Sequence, residues 1–157
     1  MRAVLNGQAG GLEILAFRLH GQEFCVKTTA IREIRGWAPA TPLPHSPQEV
    51  VGVINLRGTV VPIVDLAVKL GMPGMQANER SAIIVTDVAD TVVGLLVDAV
   101  SDILTVPAEN LQPVPPTSST GTDFSDGIIV HGTGMICLLN LERMFKDDDC
   151  GEWAAAA

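Results

Sequence analysis

The chain has 157 residues, enough for one domain or for two small units sharing a core, and 47% of them are apolar against 18% charged. That balance excludes a disordered polymer, and no apolar run is long enough to span a bilayer. A net charge of −8, with the ten Lys and Arg scattered, disfavours nucleic acid and points towards protein partners.

The first eleven residues hold one basic side chain and no apolar stretch of signal-peptide length, which argues against export. Cys25, Cys137 and Cys150 form an odd set without a CxxC spacing, as suits a reducing compartment, so the expected location is the cytoplasm.

In chain order, Leu15, Phe17 and Leu19 alternate with Ala16, Arg18 and His20, the two-residue period of a strand with one buried face. Gly21-Gln22 turns the chain into a short strand over residues 23–27, and Thr28-Thr29-Ala30 reads as a corner. Residues 31–37 alternate apolar and charged side chains less cleanly, and residues 38–47 hold four of the ten prolines, an extended connector that resists helix.

The next stretch, 50–66, organises the rest. Two Val- and Ile-rich runs meet at Arg57-Gly58, where glycine tolerates the positive φ of a tight hairpin turn. Pro62 cannot donate a ladder hydrogen bond, so one side of the second run is expected to be unpaired. Asp65 is placed to cap a helical turn that Gly71 ends.

After the break at Gly71-Met72-Pro73-Gly74, residues 81–86 and 91–97 form another hairpin around Asp87-Val88-Ala89-Asp90. Residues 100–106 are mixed, and 107–126 read as a long polar loop. Strands follow at 127–130 and 135–139, then a helical turn over 140–145 and an acidic tail.

The second half repeats the first. Ala30-Ile31-Arg32-Glu33-Ile34 falls on Ala99-Val100-Ser101-Asp102-Ile103, Arg57-Gly58-Thr59 on His131-Gly132-Thr133, and Val61-Pro62-Ile63-Val64-Asp65-Leu66 on Ile136-Cys137-Leu138-Leu139-Asn140-Leu141. About five short strands per half suggest an all-β protein of two curled barrels sharing an apolar seam, with a groove between them. The expected layout is a single domain over 12–150, with subdomains at about 17–75 and 81–145 and flexible tails at 1–11 and 146–157.

Glu33-Ile34-Arg35-Gly36, Gly52-Val53-Ile54-Asn55-Leu56-Arg57-Gly58, Val61-Pro62-Ile63-Val64-Asp65-Leu66 and Gly94-Leu95-Leu96-Val97-Asp98, in this order and spacing, resemble the CheW chemotaxis coupling proteins over residues 17–145. The resemblance implies two five-stranded SH3-like β-barrels with short helical turns. It also implies a scaffold without enzymatic activity that couples the cytoplasmic tips of chemoreceptors to the regulatory domain of the histidine kinase CheA, recruited to membrane-associated receptor arrays. The matching positions Ile31, Glu33 and Arg57 would then lie on receptor- or kinase-contacting surfaces, and Gly52 where a side chain would obstruct a partner.

Arg57 offers a guanidinium fork able to hold a carboxylate by two hydrogen bonds, and Glu33 a charge that steers encounter. Ile31, Ile34, Val97 and Val100 read most simply as core residues, and their repeat-equivalent corners offer as the alternative the walls of an apolar groove that would take an amphipathic receptor hairpin. No cofactor or metal is expected, since His20, His45 and His131 lack ligand spacing to a Cys or carboxylate.

The nearest alternative keeps the fold and serves another receptor–kinase pathway, such as surface motility or development. A hydrolase using Asp65 or Asp98 has no nucleophile to work with, and an SH3-like binder of proline-rich peptides needs an aromatic groove that a chain with two Trp and no Tyr can scarcely build.

Overall fold

The computed structural model describes residues 11–74, 78–113, 124–132 and 134–145. The chain opens with a hairpin of β1 (Gly11–Leu19) and β2 (Gln22–Lys27), then a 3-10 turn over Thr28–Ala30 leads into β3 (Ile31–Gly36). A second hairpin joins β4 (Val50–Leu56) to β5 (Thr59–Asp65), which runs into the one-turn helix α1 (Leu66–Lys69). The third hairpin is β6 (Ala82–Val88) and β7 (Thr91–Val97), followed by β8 (Ala99–Pro107) and the two-residue β9 (Leu111–Gln112). A last hairpin, β10 (Ser125–His131) and β11 (Gly134–Leu139), ends in α2 (Leu141–Met144).

These strands form two sheets, ordered β3-β6-β7-β5-β4 and β8-β1-β2-β11-β10-β9. Superposing the orders puts β3 on β8, the hairpin β6–β7 on β1–β2, β5 on β11 and β4 on β10. The duplication read from the sequence is therefore real, but it is permuted. Unit one runs from β3 to β7, and unit two combines the first hairpin with β8, β9, β10, β11 and α2.

The expected boundary between 75 and 81 is corrected accordingly. It fell there because the sequence repeat begins at β3 and β8, whereas the hairpin completing unit two lies at the other end of the chain. Each sheet also contains one parallel pairing, β5 with β7 and β11 with β2, which brings together strands far apart in sequence.

Burial follows from this arrangement. Leu15, Phe17 and Leu19 of β1 face a shared cluster with Ile84, Val93, Leu95 and Val97 of unit one, while Ile14 and Ala16 face a cluster inside unit two with Cys25, Ile129 and Leu138. β6 divides likewise, with Ile84 to the seam and Ile83 and Val85 to a cluster inside unit one with Leu56, Val61 and Ile63. The expected one-sided burial of β1 is thus corrected: both its faces are covered because it lies between the seam and the core of its own unit.

Asp65 caps α1 as its position suggested, accepting from the N–H of Ala67 at 3.1 Å. Gly71, at φ 84°, closes it with Gly71 N–H on Val68 O and Met72 N–H on Ala67 O, the two bonds of a Schellman motif. Asn140, its counterpart in the repeat, caps α2 by accepting from Arg143 N–H at 2.9 Å.

Pro62 lies within an inner strand rather than on an edge. By register it stands opposite Val53 where its nitrogen faces away from β4, one residue before the ladder with β7 begins at Ile63. Only the first part of that side is unpaired.

The units are joined by the 3-10 turn at Thr28–Ala30 and by a single residue, Asp98, between β7 and β8. Asp98 donates its N–H to Arg18 O at 3.0 Å and accepts His20 N–H on Oδ2 at 2.9 Å, which pins the β1–β2 turn against the crossover. Residues 1–10 and 146–157 of the expected tails, and 114–123 of the expected loop, lie outside the described residues, whereas Gly11 already belongs to β1.

Candidate partner-docking face

β3 is the outer strand of unit one and exposes alternate side chains, so Arg32 and Ile34 face solvent while Ile31, Glu33 and Arg35 lie half-buried. Beside it rises the tip of the β4–β5 hairpin. Its two loop residues, Arg57 at φ 51° and Gly58 at φ 88°, adopt the doubly positive turn whose twist suits a two-residue hairpin. Asn55 Oδ1 accepts Gly58 N–H at 2.8 Å and fixes that turn.

The turn carries Arg57 onto Glu33, whose Oε1 accepts a hydrogen bond from Arg57 Nη2, and Arg35 Nη1 lies 3.5 Å from Glu33 Oε2. Arg32 Nε donates to Asp87 Oδ2 at 3.2 Å. The bond from Arg57 holds the Glu33 carboxyl below the usual glutamate range, helped by Arg35 and opposed by desolvation. Glu33 in turn holds the Arg57 proton more tightly.

Arg32, Glu33, Leu56, Arg57, Thr59, Val61 and Val92 enclose a depression of about 450 Å³. Leu56 and Val61 belong to the core cluster of unit one, so an apolar floor lies under a charged rim. The Arg57 side chain is 71% exposed and uses one of its five donors on Glu33, leaving others free to meet an acceptor from outside.

Of the seven predicted contact residues, the structure brings Glu33 and Arg57 together. Ile34 is exposed on β3, and Ile31 and Val100 are half-buried against the shared core. Val97 is fully buried in that core and cannot wall a groove, because β7 is covered on both faces. It also stands four ladder positions along β6 from Ile31, about 13 Å at the rise of an antiparallel strand.

Gly52 is corrected too. It sits at the β4 bulge, and an added Cβ would overlap the backbone of Thr41, which bonds Val53 in both directions at 2.8 Å. What a side chain would obstruct is this chain's own loop. Gly127 repeats the device in unit two, at the matching bulge of β10 and against Gln112 of β9.

Sequence reasoning missed Arg32, Arg35 and Asp87 as members of the face. The signal was the run of charges at Arg32, Glu33 and Arg35, in which the two-residue period of an outer strand puts Arg35 on the same face as Glu33. A second cleft, of about 350 Å³, lies where the units meet and is lined mainly by polar and acidic groups, including Lys27, Asp87, Asp126, Asn140 and Glu142. Ile31, Ile34, Val97 and Val100 do not contribute to it.

Two β units of one design, packed on a common seam and bearing a charged rim over an apolar floor, define a two-unit SH3-like β scaffold. The CheW-like domain model matches residues 13–149, and the chain belongs to that family. It is 52% identical over 141 residues to the chemotaxis protein CheW of Rhizobium meliloti (strain 1021), covering 89% of this chain and 91% of that protein. Over 146 residues it is 35% identical to the chemotaxis protein CheW of Klebsiella aerogenes, covering 92% and 88%. Among solved structures, the scaffolding protein TtCheW from Thermoanaerobacter tengcongensis superposes with a TM-score of 0.81 at 27% identity, covering 87% of this chain and 94% of that one.

Proposed function

We propose that this chain is a chemotaxis scaffold without catalytic activity, working in the bacterial cytoplasm to hold the cytoplasmic tip of a chemoreceptor and the regulatory domain of CheA in one complex. The observation that carries this reading is the pairing of one fold with two different ends. Unit one presents the Arg57–Glu33 rim, and unit two presents exposed Val130 and Met135 at the matching hairpin. A protein that couples two unlike partners needs two unlike surfaces held at fixed separation. Membership of the CheW-like family, with relatives named as chemotaxis proteins, supports the same pathway over a surface-motility or developmental one.

Glu33, Arg57, Ile34 and the half-buried Ile31 and Val100 are the contact residues of this proposal, while Gly52 and Val97 support them from within. Weak contacts at each face gain from repetition in an array, where effective concentration replaces intrinsic affinity. The test is a titration of isotope-labelled protein with a receptor-tip peptide and, separately, with the kinase regulatory domain. Two sets of shifted residues are expected, one of them including Arg57, and Arg57→Ala should weaken one partner more than the other. Neither partner shifting any residue would refute the reading.

A further inference from the structure

Lys69 ends α1 with its side chain only 10% exposed. An ammonium withdrawn from water to that degree needs compensating partners, and here they come from both units. Glu49, 17% exposed, places Oε2 3.8 Å from Nζ, and the rings of Phe124 and Phe145 lie with centroids 5.8 and 5.3 Å from it, within cation–π range. Two of the chain's four phenylalanines thus converge on one cation.

Glu49 and Lys69 belong to the α1 side, where Glu49 O accepts Asp65 N–H at 2.7 Å. The two rings bracket the last part of unit two. Phe124 O accepts the N–H of Asn140, the α2 cap, at 2.7 Å, and Phe145 N–H bonds Leu141 O at 3.1 Å. With Leu66 aligned on Leu141, the position matching Lys69 is Met144, so the repeated helical turn does not itself require a cation.

We propose that Lys69 is a positioning residue whose ammonium, shared between Glu49 and the rings of Phe124 and Phe145, clasps the α2 end of unit two to unit one and so fixes the setting of the two docking ends. The clasp stands independently of which partners dock, and its test reads no binding.

Carbon-edited NMR of the whole chain should show the ε-methylene protons of Lys69 displaced upfield by the rings, apart from those of Lys27. Lys69→Met keeps the apolar stem without the charge and should speed amide exchange at Asn140, Met144 and Phe145 about tenfold or more, while Ile83, Ile84 and Val85 stay within about twofold. Lys69→Arg, which keeps the cation, should return the α2 amides close to wild type. Unchanged exchange at α2, an equal rise in β6, or Arg behaving as Met would each overturn the proposal. Should Lys69→Met not fold, Phe124→Leu decides the matter: the Lys69 signal must move towards that of Lys27, and an unmoved signal sinks the clasp.

Discussion

The hairpin tips at Arg57 and His131 occupy matching corners of matching sheets, yet they present opposite chemistry. In unit one, Arg57 reaches Glu33 on the neighbouring outer strand and builds a charged rim. In unit two, the counterpart of Glu33 is Asp102, whose carboxylate turns back to accept its own neighbour's N–H, from Ile103 at 2.8 Å, and Val130 and Met135 stand 43% and 68% exposed beside His131. Duplication kept the glycine bulges, the capped helical turns and the strand order, and changed the rim. The shared backbone and the chemistry of the rims have separate determinants.

The largest expected effect tests whether the units are separate at all. Ile84 lies in the shared seam and Ile136 inside unit two, and replacing either by Ala should cost about 2–5 kcal/mol. Because the seam takes side chains from both sheets, urea unfolding followed by two probes should remain one coincident transition for each variant. A split transition for Ile136→Ala would show units that unfold alone and break the comparison.

Gly52→Ala and Gly127→Ala come next. Each forces a Cβ against the backbone of an adjoining segment, Thr41 for Gly52 and Gln112 of β9 for Gly127, and overpacking of that kind costs about 1–3 kcal/mol. Similar losses in chemical denaturation would establish the two bulges as one device used twice. Retention of full stability by Gly52→Ala, with loss of partner binding, would restore Gly52 to the docking face.

A smaller effect separates the two hairpins packed on the seam. Against Leu138, unit two places Cys25 where unit one, against Ile63, places Gly94. Burial, with Cys137 and Glu23 nearby, pushes the Cys25 thiol up to about 12 from an ordinary 9.0. The folded state therefore favours the protonated thiol, so its contribution is complete below pH 9.0 and is lost as pH rises towards 12. Cys25→Ala should flatten the alkaline loss of stability measured by denaturant titration, and native Cys25 should resist alkylation at pH 8.

The smallest stability effect belongs to the most conspicuous pair. Arg57 and Glu33 meet at the surface, with the Arg57 side chain 71% exposed, so Glu33→Gln should barely shift the melting temperature at neutral pH. The Glu33 carboxyl is held low in the folded state, so whatever it contributes is present above the ordinary glutamate range, about 4.3, and fades only as pH falls below it. A large neutral-pH loss would turn the pair from a docking rim into a structural strut.

Much of this was legible in the chain itself. Strand period, the Arg57-Gly58 turn, the Asp65 cap and the repeat all follow from local rules that act over a few residues. What escaped the sequence depends on distant partners. That Thr41 closes over Gly52, that β1–β2 completes the later unit, and that Val97 has cover on both sides are consequences of pairings between segments far apart. The candidate face was half read: Glu33 and Arg57 were singled out separately, but their mutual bond spans 24 positions and needs β3 and the β4–β5 tip to be neighbours.

The permuted connectivity also bears on how the chain is made. Leaving the ribosome ahead of its sheet neighbours, the β1–β2 hairpin finds no β8 or β11 to pair with until the whole of 31–97 has followed it. Unit one can close as soon as β7 is out and then offers its seam to Leu15, Phe17 and Leu19, while the face bearing Ile14, Ala16 and Cys25 waits for β10 and β11. Synthesis order therefore leaves one apolar face of this hairpin uncovered until the closing strands follow, and makes it a segment in need of shielding in the nascent chain.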